Sequence, residues 1–253
     1  MRIFLKTEDE IILLRAASQL ATRALIEVGR HVVPRLALSH LRNKVVNAVM
    51  RTVPTESNSG KEALSSDTEF TFFVNGAYVE PSLEGECMLC EGDWLTVNCW
   101  VCLDGYYSFG AHTFIVGSSQ DDEPMTSTLR DMLRQVVRRA SAGHSIKEMS
   151  RTVYSLHAHD PYVLQKTFGH GVGRNRVENP ILQMNPGVND TVLLKEGMCL
   201  VIALAFKHGR SHFIKPRLMH ESTFHNPFVP FGTTVVVRPG RPEILTSFET
   251  IVK

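Results

Sequence analysis

The sequence predicts an α+β protein with helices packed on the outer face of a curved antiparallel sheet, and three observations carry that prediction. A capped amphipathic helix, a Gly or Pro stop and a shorter helix occur twice along the chain. Each time a region of strand-forming residues follows, and in the first half it contains an Asp104-Gly105 hairpin signal. The two halves therefore rhyme, which an internal duplication explains most economically.

In chain order, Thr7-Glu8-Asp9-Glu10 has the form of a capping box, in which the hydroxyl and the later carboxylate satisfy orphan N–H groups at a helix start. Ile11, Leu14, Ala17, Leu20, Ala21, Leu25 and Val28 then recur at helical spacing to Gly29, and Pro34 ends the run. A second helix is predicted over 38–50, with Leu41, Val45, Val46 and Val49 on one face. Residues 54–69 have little to bury and predict a loop. Strands are predicted over 70–74, 94–103 and 106–117, the last two joined by Asp104-Gly105. A two-residue turn there sets Asn98 opposite Ala111, with Phe109 the diagonal neighbour on the same face. Thr128-Leu129-Arg130-Asp131 predicts a capped helix over 129–142, and Ser145-Ile146-Lys147-Glu148 starts the next. Strands over 199–206 and 233–237 complete the second half.

Composition narrows the function classes. The 253 residues are 43% apolar and 21% charged, enough for a real core, and are expected to form one domain over 1–253. The 27 Lys and Arg balance 26 Asp and Glu, so the formal net charge of +1 excludes a charged tail as the main device but not a local patch. No apolar run approaches the roughly 18–20 residues of a membrane helix, so no membrane association is expected. Glu8, Asp9 and Glu10 stand where the apolar stretch of a secretory leader would be. Five cysteines, an odd number, fit a reducing compartment. The expected location is the cytoplasm, with the mitochondrion as the alternative because residues 1–6 are basic and apolar.

Several constellations could carry chemistry. Cys87-x-x-Cys90 and Cys99-x-x-Cys102 invite a zinc reading, but their spacer is short and Cys99 and Cys102 fall on opposite faces of a strand, so buried apolar thiols are expected. His208 and His212 have ligand spacing, yet Lys207, Gly209 and Arg210 around them predict a turn; His157, His159, His220 and His225 lack paired carboxylates. Gly171-Val172-Gly173 lacks the context of a nucleotide loop. Arg130, Arg134, Arg138 and Arg139 recur on one predicted helix and Lys147 and Arg151 on the next, a basic face read either as a solvated surface or as a contact for RNA phosphates. Lys207, Arg210, Lys215 and Arg217 form a second basic stretch.

Three stretches make the chain resemble the type I methionine aminopeptidases, metallopeptidases of the pita-bread fold. They run from Glu91-Gly92-Asp93 through Asp104-Gly105 to Phe114-Ile115-Val116-Gly117, then over Phe168-Gly169-His170-Gly171-Val172-Gly173-Arg174 with Glu178-Asn179-Pro180, then over Leu194-Lys195-Glu196-Gly197-Met198. The resemblance covers nearly the whole chain and implies the duplicated fold argued above. Active members hold two divalent metals between two Asp, one His and two Glu, and the metals activate a water. Carried over by position, the Asp pair falls on Asn98 and Phe109, the His on His170, and the Glu pair on Ala203 and Gly232. The two substrate-handling histidines fall on Glu80 and Val177, so only His170 matches.

The expectation is a catalytically inactive homologue, with no catalytic residues, no metal and no cofactor, acting as a binding or assembly module. Relatives of this fold that have lost catalysis bind ribosomal particles or histones. The resemblance thus implies ribosomal or pre-ribosomal proteins, and rRNA through Arg130, Arg134, Arg138, Arg139, Lys147 and Arg151, as partners. One alternative is a functional metallo-aminopeptidase with a rebuilt site around His170 and Glu178, Glu80 or His112. Another is a peptide or small-molecule binder using the old cleft.

Overall fold

The computed structural model describes residues 2–53, 64–117, 124–157, 163–164, 167–184, 192–207, 228–247 and 251. Helix α1 spans Glu8–His31, and the expected capping box is formed: the Glu10 N–H donates to Thr7 Oγ1, and the Thr7 N–H donates to Glu10 Oε2 at 2.9 Å. Acidic residues fill its first turn and Arg30 and His31 its last, matching the helix dipole. All seven apolar positions expected on its inner face are buried. Helix α2 (Leu38–Thr52) buries Leu41, Val45 and Val49.

Strands β1 (Glu69–Val74), β2 (Ala77–Tyr78), β3 (Trp94–Leu103) and β4 (Tyr106–Ile115) follow. The Asp104-Gly105 turn between β3 and β4 has positive φ at both residues, 49° and 77°, which matches the right-handed twist of a hairpin. Its register sets Asn98 against Ala111 and Trp100 against Phe109, as the two-residue turn requires. The second half repeats the plan with α3 (Pro124–Arg138), α4 (Ile146–His157), β5 (Val163–Leu164), β6 (Thr167–Gly171), β7 (Glu178–Gln183), β8 (Cys199–Lys207), β9 (Phe228–Val236) and β10 (Glu243–Ile244). Helix α3 begins earlier than expected, so Thr128 and Asp131 lie inside it rather than at its cap. The Ser145–Glu148 capping box does form, with the Ser145 N–H donating to Glu148 Oε2 at 2.6 Å.

The described strands form one ten-stranded sheet in the order β2-β1-β3-β4-β9-β8-β6-β7, with β10 on β9 and β5 on β8, every pair antiparallel. Period-two alternation divides its residues between two faces. One core joins α1 and α2 to Phe70, Phe72, Val97, Cys99 and Phe114; a second joins α3 and α4 to Leu200, Ile202, Leu204, Phe231 and Val235. This is the pita-bread architecture, a curled antiparallel half-barrel with helices outside, in which each half has its own helix-on-sheet core. The halves meet at β4 and β9, where the only paired register among described residues is Ala111 with Gly232. There Thr234 Oγ1 clamps the Phe109 backbone, accepting from its N–H and donating to its C=O, both at 2.9 Å. Ser108 Oγ lies 2.6 Å from Ser18 Oγ and 3.2 Å from Thr234 Oγ1, so a buried hydroxyl chain ties α1 to this seam. No described helix is long and apolar enough to cross a membrane.

Candidate functional site

Four of the five positions expected to hold cations in the resembling family lie together at the middle of the sheet. Asn98 pairs with Ala111, Ala111 with Gly232, and Gly232 with Ala203, a single row across β3, β4, β9 and β8. Phe109 is the diagonal neighbour on that face, and its ring lies on the Gly232 backbone: a Cβ added there would sit 2.6 Å from Phe109 Cε1 and 3.1 Å from the Ala203 Cβ. Gly232 is therefore glycine because the phenyl ring fills the space of its side chain. Trp100, opposite Phe109, packs on the same ring with centroids 4.8 Å apart, and lies nearly parallel to His170 at 6.1 Å. The centre of the site is thus an aromatic cluster continuous with the buried Val201, Val172 and Leu14. The Oδ1 of Asn98 is buried with no hydrogen-bond partner among the described residues.

His170 is mostly buried, and its Nδ1 donates to the Gly171 carbonyl at 2.8 Å, since a carbonyl can only accept. Burial holds its pKa below 6.5, only partly offset by that bond, so the ring is neutral near pH 7 with its lone pair on Nε2. Glu80 and Val177 lie outside the row. Glu80 is exposed, just ahead of a single 3₁₀ turn at Pro81–Leu83, and Val177 is 56% exposed in the connection between β6 and β7.

The residues considered for a rebuilt centre do not gather around His170. Glu178 accepts from Lys6 Nζ at 2.6 Å, an ion pair with both side chains only 5% exposed, and the Asn175 N–H donates to its other oxygen. His112 lies between Phe114 and Phe231, ring centroids 4.6 and 4.5 Å away, and shares its residue parity on β4 with Phe114 rather than with Phe109 and Ala111. Among the described residues, no group of three or more His, Cys, Asp or Glu is placed to hold a metal.

The glycine-rich run around His170 is a packing device. A Cβ at Gly169 would strike the Val201 carbonyl, one at Gly171 the Asn179 carbonyl, and one at Gly173 the Lys6 ammonium itself. Beyond it, the connection to β7 folds over the β3–β4 hairpin. Arg176 sits 5.7 Å from the Trp100 ring and 5.8 Å from that of Tyr107, and pairs with Glu69 at 2.9 Å. Tyr107 donates to Asp67 at 2.6 Å, which raises its phenol to about 12. Period-two reading from Asn98 would have found Trp100; the Lys6–Glu178 pair spans too much sequence to be read from it.

Of the five cysteines, Cys99, Cys102 and Cys199 are buried as expected, while Cys87 and Cys90 are only half-buried. Burial pushes Cys87 up to about 11 and Cys199 up to about 12, and Cys99 higher still. The residues of the basic face differ in exposure. Arg138, Arg139, Lys147 and Arg151 are exposed, but Arg130 is half-buried with its guanidinium 5.9 Å from the Phe231 ring, and Arg134 pairs with Asp131 at 2.7 Å. Arg130 belongs to the core boundary because its guanidinium lies over the buried Phe231 of β9. Residues His159, His208, His212, His220 and His225, with Arg210, Lys215 and Arg217, lie outside the described residues.

Comparison with known proteins places this geometry. Residues 12–239 match the metallopeptidase family M24. A methionine aminopeptidase from Helicobacter pylori is 29% identical over 220 residues, 83% of this chain and 85% of that one. Another, from Clostridium perfringens, is 25% identical over 96% of this chain and 98% of its own. Among solved structures, methionine aminopeptidase from Thermotoga maritima superposes with a TM-score of 0.79 at 21% identity, covering 97% of this chain and all of that one. The N-terminal domain of the FACT complex subunit SPT16 from chickpea gives 0.71 at 16% identity, covering 98% of this chain and 60% of that one. At such identities these two report the fold alone.

Proposed function

The chain belongs to the metallopeptidase family M24, and from that premise we propose that it is a catalytically silent member whose cation centre has been replaced by an aromatic plug and which works as a binding module. The observation that carries this reading is the Phe109 ring seated on Gly232 beside Ala203, in a row that begins with Asn98. A pair of divalent cations needs about four negative charges close by; these positions offer a phenyl ring, a methyl group, a bare backbone and a neutral amide. Placing a dication against such a surface costs several kcal/mol or more in lost solvation, and the neutral His170 cannot return it. The residues present do not fit the metals of the family.

What remains is the folded body, with half-buried Trp100 and Tyr107 beside Arg176, an exposed Val177, and exposed cations at Arg138, Arg139, Lys147 and Arg151. The fold itself serves in the N-terminal domain of a complex subunit, SPT16, as well as in peptidases. A ribosomal or pre-ribosomal particle is the partner these cations favour, because rRNA presents a phosphate surface that Arg and Lys bind without reading sequence. The names of the relatives favour a second reading, an aminopeptidase acting on N-terminal methionine; it requires ligands other than Glu178, which Lys6 already holds.

The test is metal content by mass spectrometry, a methionine-release assay with added cobalt or manganese, and co-sedimentation with ribosomal particles at low salt. The expected result is no stoichiometric metal, no release, and salt-sensitive co-sedimentation. Two metals per chain whose removal abolishes methionine release would establish the second reading instead.

A further inference from the structure

On the outer, helix-bearing side of the sheet, a cleft of about 560 Å³ lies between the end of α3 and the turn that follows β9. Arg134, Val137 and Arg138 form one wall, and Arg241, Pro242 and Ile244 the other. We infer that this cleft is a phosphate-binding site, in which the guanidinium groups of Arg134, Arg138 and Arg241 hold the phosphoryl oxygens of a nucleic-acid backbone or of a free phosphate compound.

Two observations and one general property of arginine converge on that ligand. Charge comes first. Asp131 pairs with Arg134, while among the described residues neither Arg138 nor Arg241 has a carboxylate at ion-pair distance. With Arg134 already paired, Arg138 and Arg241 bring about two positive charges, which a phosphate of about −1.5 to −2 matches and a single side-chain carboxylate does not. The second is donor geometry: each planar fork can present two parallel N–H donors to two phosphoryl oxygens. The third is rigidity. The Arg241 turn is pinned to the end of α3 by Ser141 Oγ donating to the Gly240 carbonyl and the Ala142 N–H donating to the Arg238 carbonyl, both at 3.0 Å. The backbone that carries Arg241 is thus already ordered, and binding has only the arginine side chains to fix. Among the described residues the lining is arginine, small and aliphatic, with the 40% exposed Ile244 as the apolar contact.

This deepens the particle-binding reading and rests on it only for the polymer; the phosphate chemistry stands on the cleft. The experiment titrates the full chain with pyrophosphate by calorimetry, and with a short single-stranded oligouridylate by anisotropy at several salt concentrations. The same titrations are run on the Arg138→Ala/Arg241→Ala variant, whose melting temperature is measured alongside. We expect pyrophosphate affinity to fall at least about tenfold in the variant, with melting unchanged because both side chains are exposed. If the polymer is the source, oligouridylate affinity falls with it and the slope of log K against log salt decreases by about 1.4, two contacts at about 0.7 each. Pyrophosphate binding without oligouridylate binding assigns the site to a free phosphate compound. No pyrophosphate binding, or binding indifferent to the two substitutions, overturns the inference, as does tighter binding of a glutamate-rich peptide. Particle co-sedimentation is scored separately: a chain that binds pyrophosphate but no particle keeps the cleft and loses the partner.

Discussion

Phe109 and Gly232 are legible only as a pair. A phenyl ring in the middle of a sheet face needs a neighbour without a side chain, and a glycine inside a strand needs something to cover it. The geometry meets both demands with one contact. Gly232→Ala in the wild-type background is overpacked and is expected to lose about 1–3 kcal/mol. Phe109→Ala, removing a ring that is 7% exposed, is expected to lose about 3–5 kcal/mol. In the double variant the new methyl enters the space the ring vacated, so the two losses should fall short of additivity by about 1 kcal/mol or more. Urea unfolding of the four proteins measures this, and strict additivity would mean that the ring does not sit on Gly232 in solution.

The elements around the site come from ordinary local rules, and the seam between the halves does not. Within the first half, caps, turn residues and apolar periods agree, so α1, α2 and the β3–β4 hairpin follow from neighbouring residues. The junction of β4 with β9 is different: one register pair is supplemented by Thr234, whose hydroxyl takes the place of a ladder partner for Phe109. Thr234→Val keeps the shape and removes both bonds to Phe109 together with the contact to Ser108 Oγ. With the Phe109 N–H left buried and unpaired, a loss of about 1–3 kcal/mol is expected, together with faster amide hydrogen exchange at Phe109. Unchanged exchange there would show that the clamp is not needed to hold the seam.

Across the whole molecule, the N-terminal segment straps the two halves together. Lys6 donates its N–H to the Gly197 carbonyl at 2.8 Å and its ammonium to Glu178, 172 residues away. Gly173 leaves the room that the ammonium occupies. A buried pair of this kind adds little over an apolar pair, but breaking it strands a charge. Glu178→Gln is therefore expected to cost about 3–5 kcal/mol, and Lys6→Met combined with Glu178→Leu markedly less. Thermal and urea melts of the single and double variants decide this; a double variant no better than the single would show that packing rather than charge accounts for the loss.

Local order in the chain determined most of the architecture: which stretches are helices, where α1 is capped, how the hairpin turns, and that Asn98 faces Ala111 with Phe109 beside it. Those features depend on residues a few positions apart, whose propensities and alternation are written in sequence. The resemblance to the family, carried over position by position, added that four of the five expected cation-binding positions carry no ionisable group. Only the tertiary structure decided what stands there instead, since the ring on Gly232, Trp100 between Phe109 and His170, and the Lys6–Glu178 pair join residues from distant strands. The same holds for the basic face, where one helix turn separates Arg130, packed over Phe231, from Arg134, and where Arg241 arrives from the far end of the chain to complete a cleft. Period and composition fix what each segment must bury; which segments meet, and hence which charges share solvent, depends on the closure of the sheet.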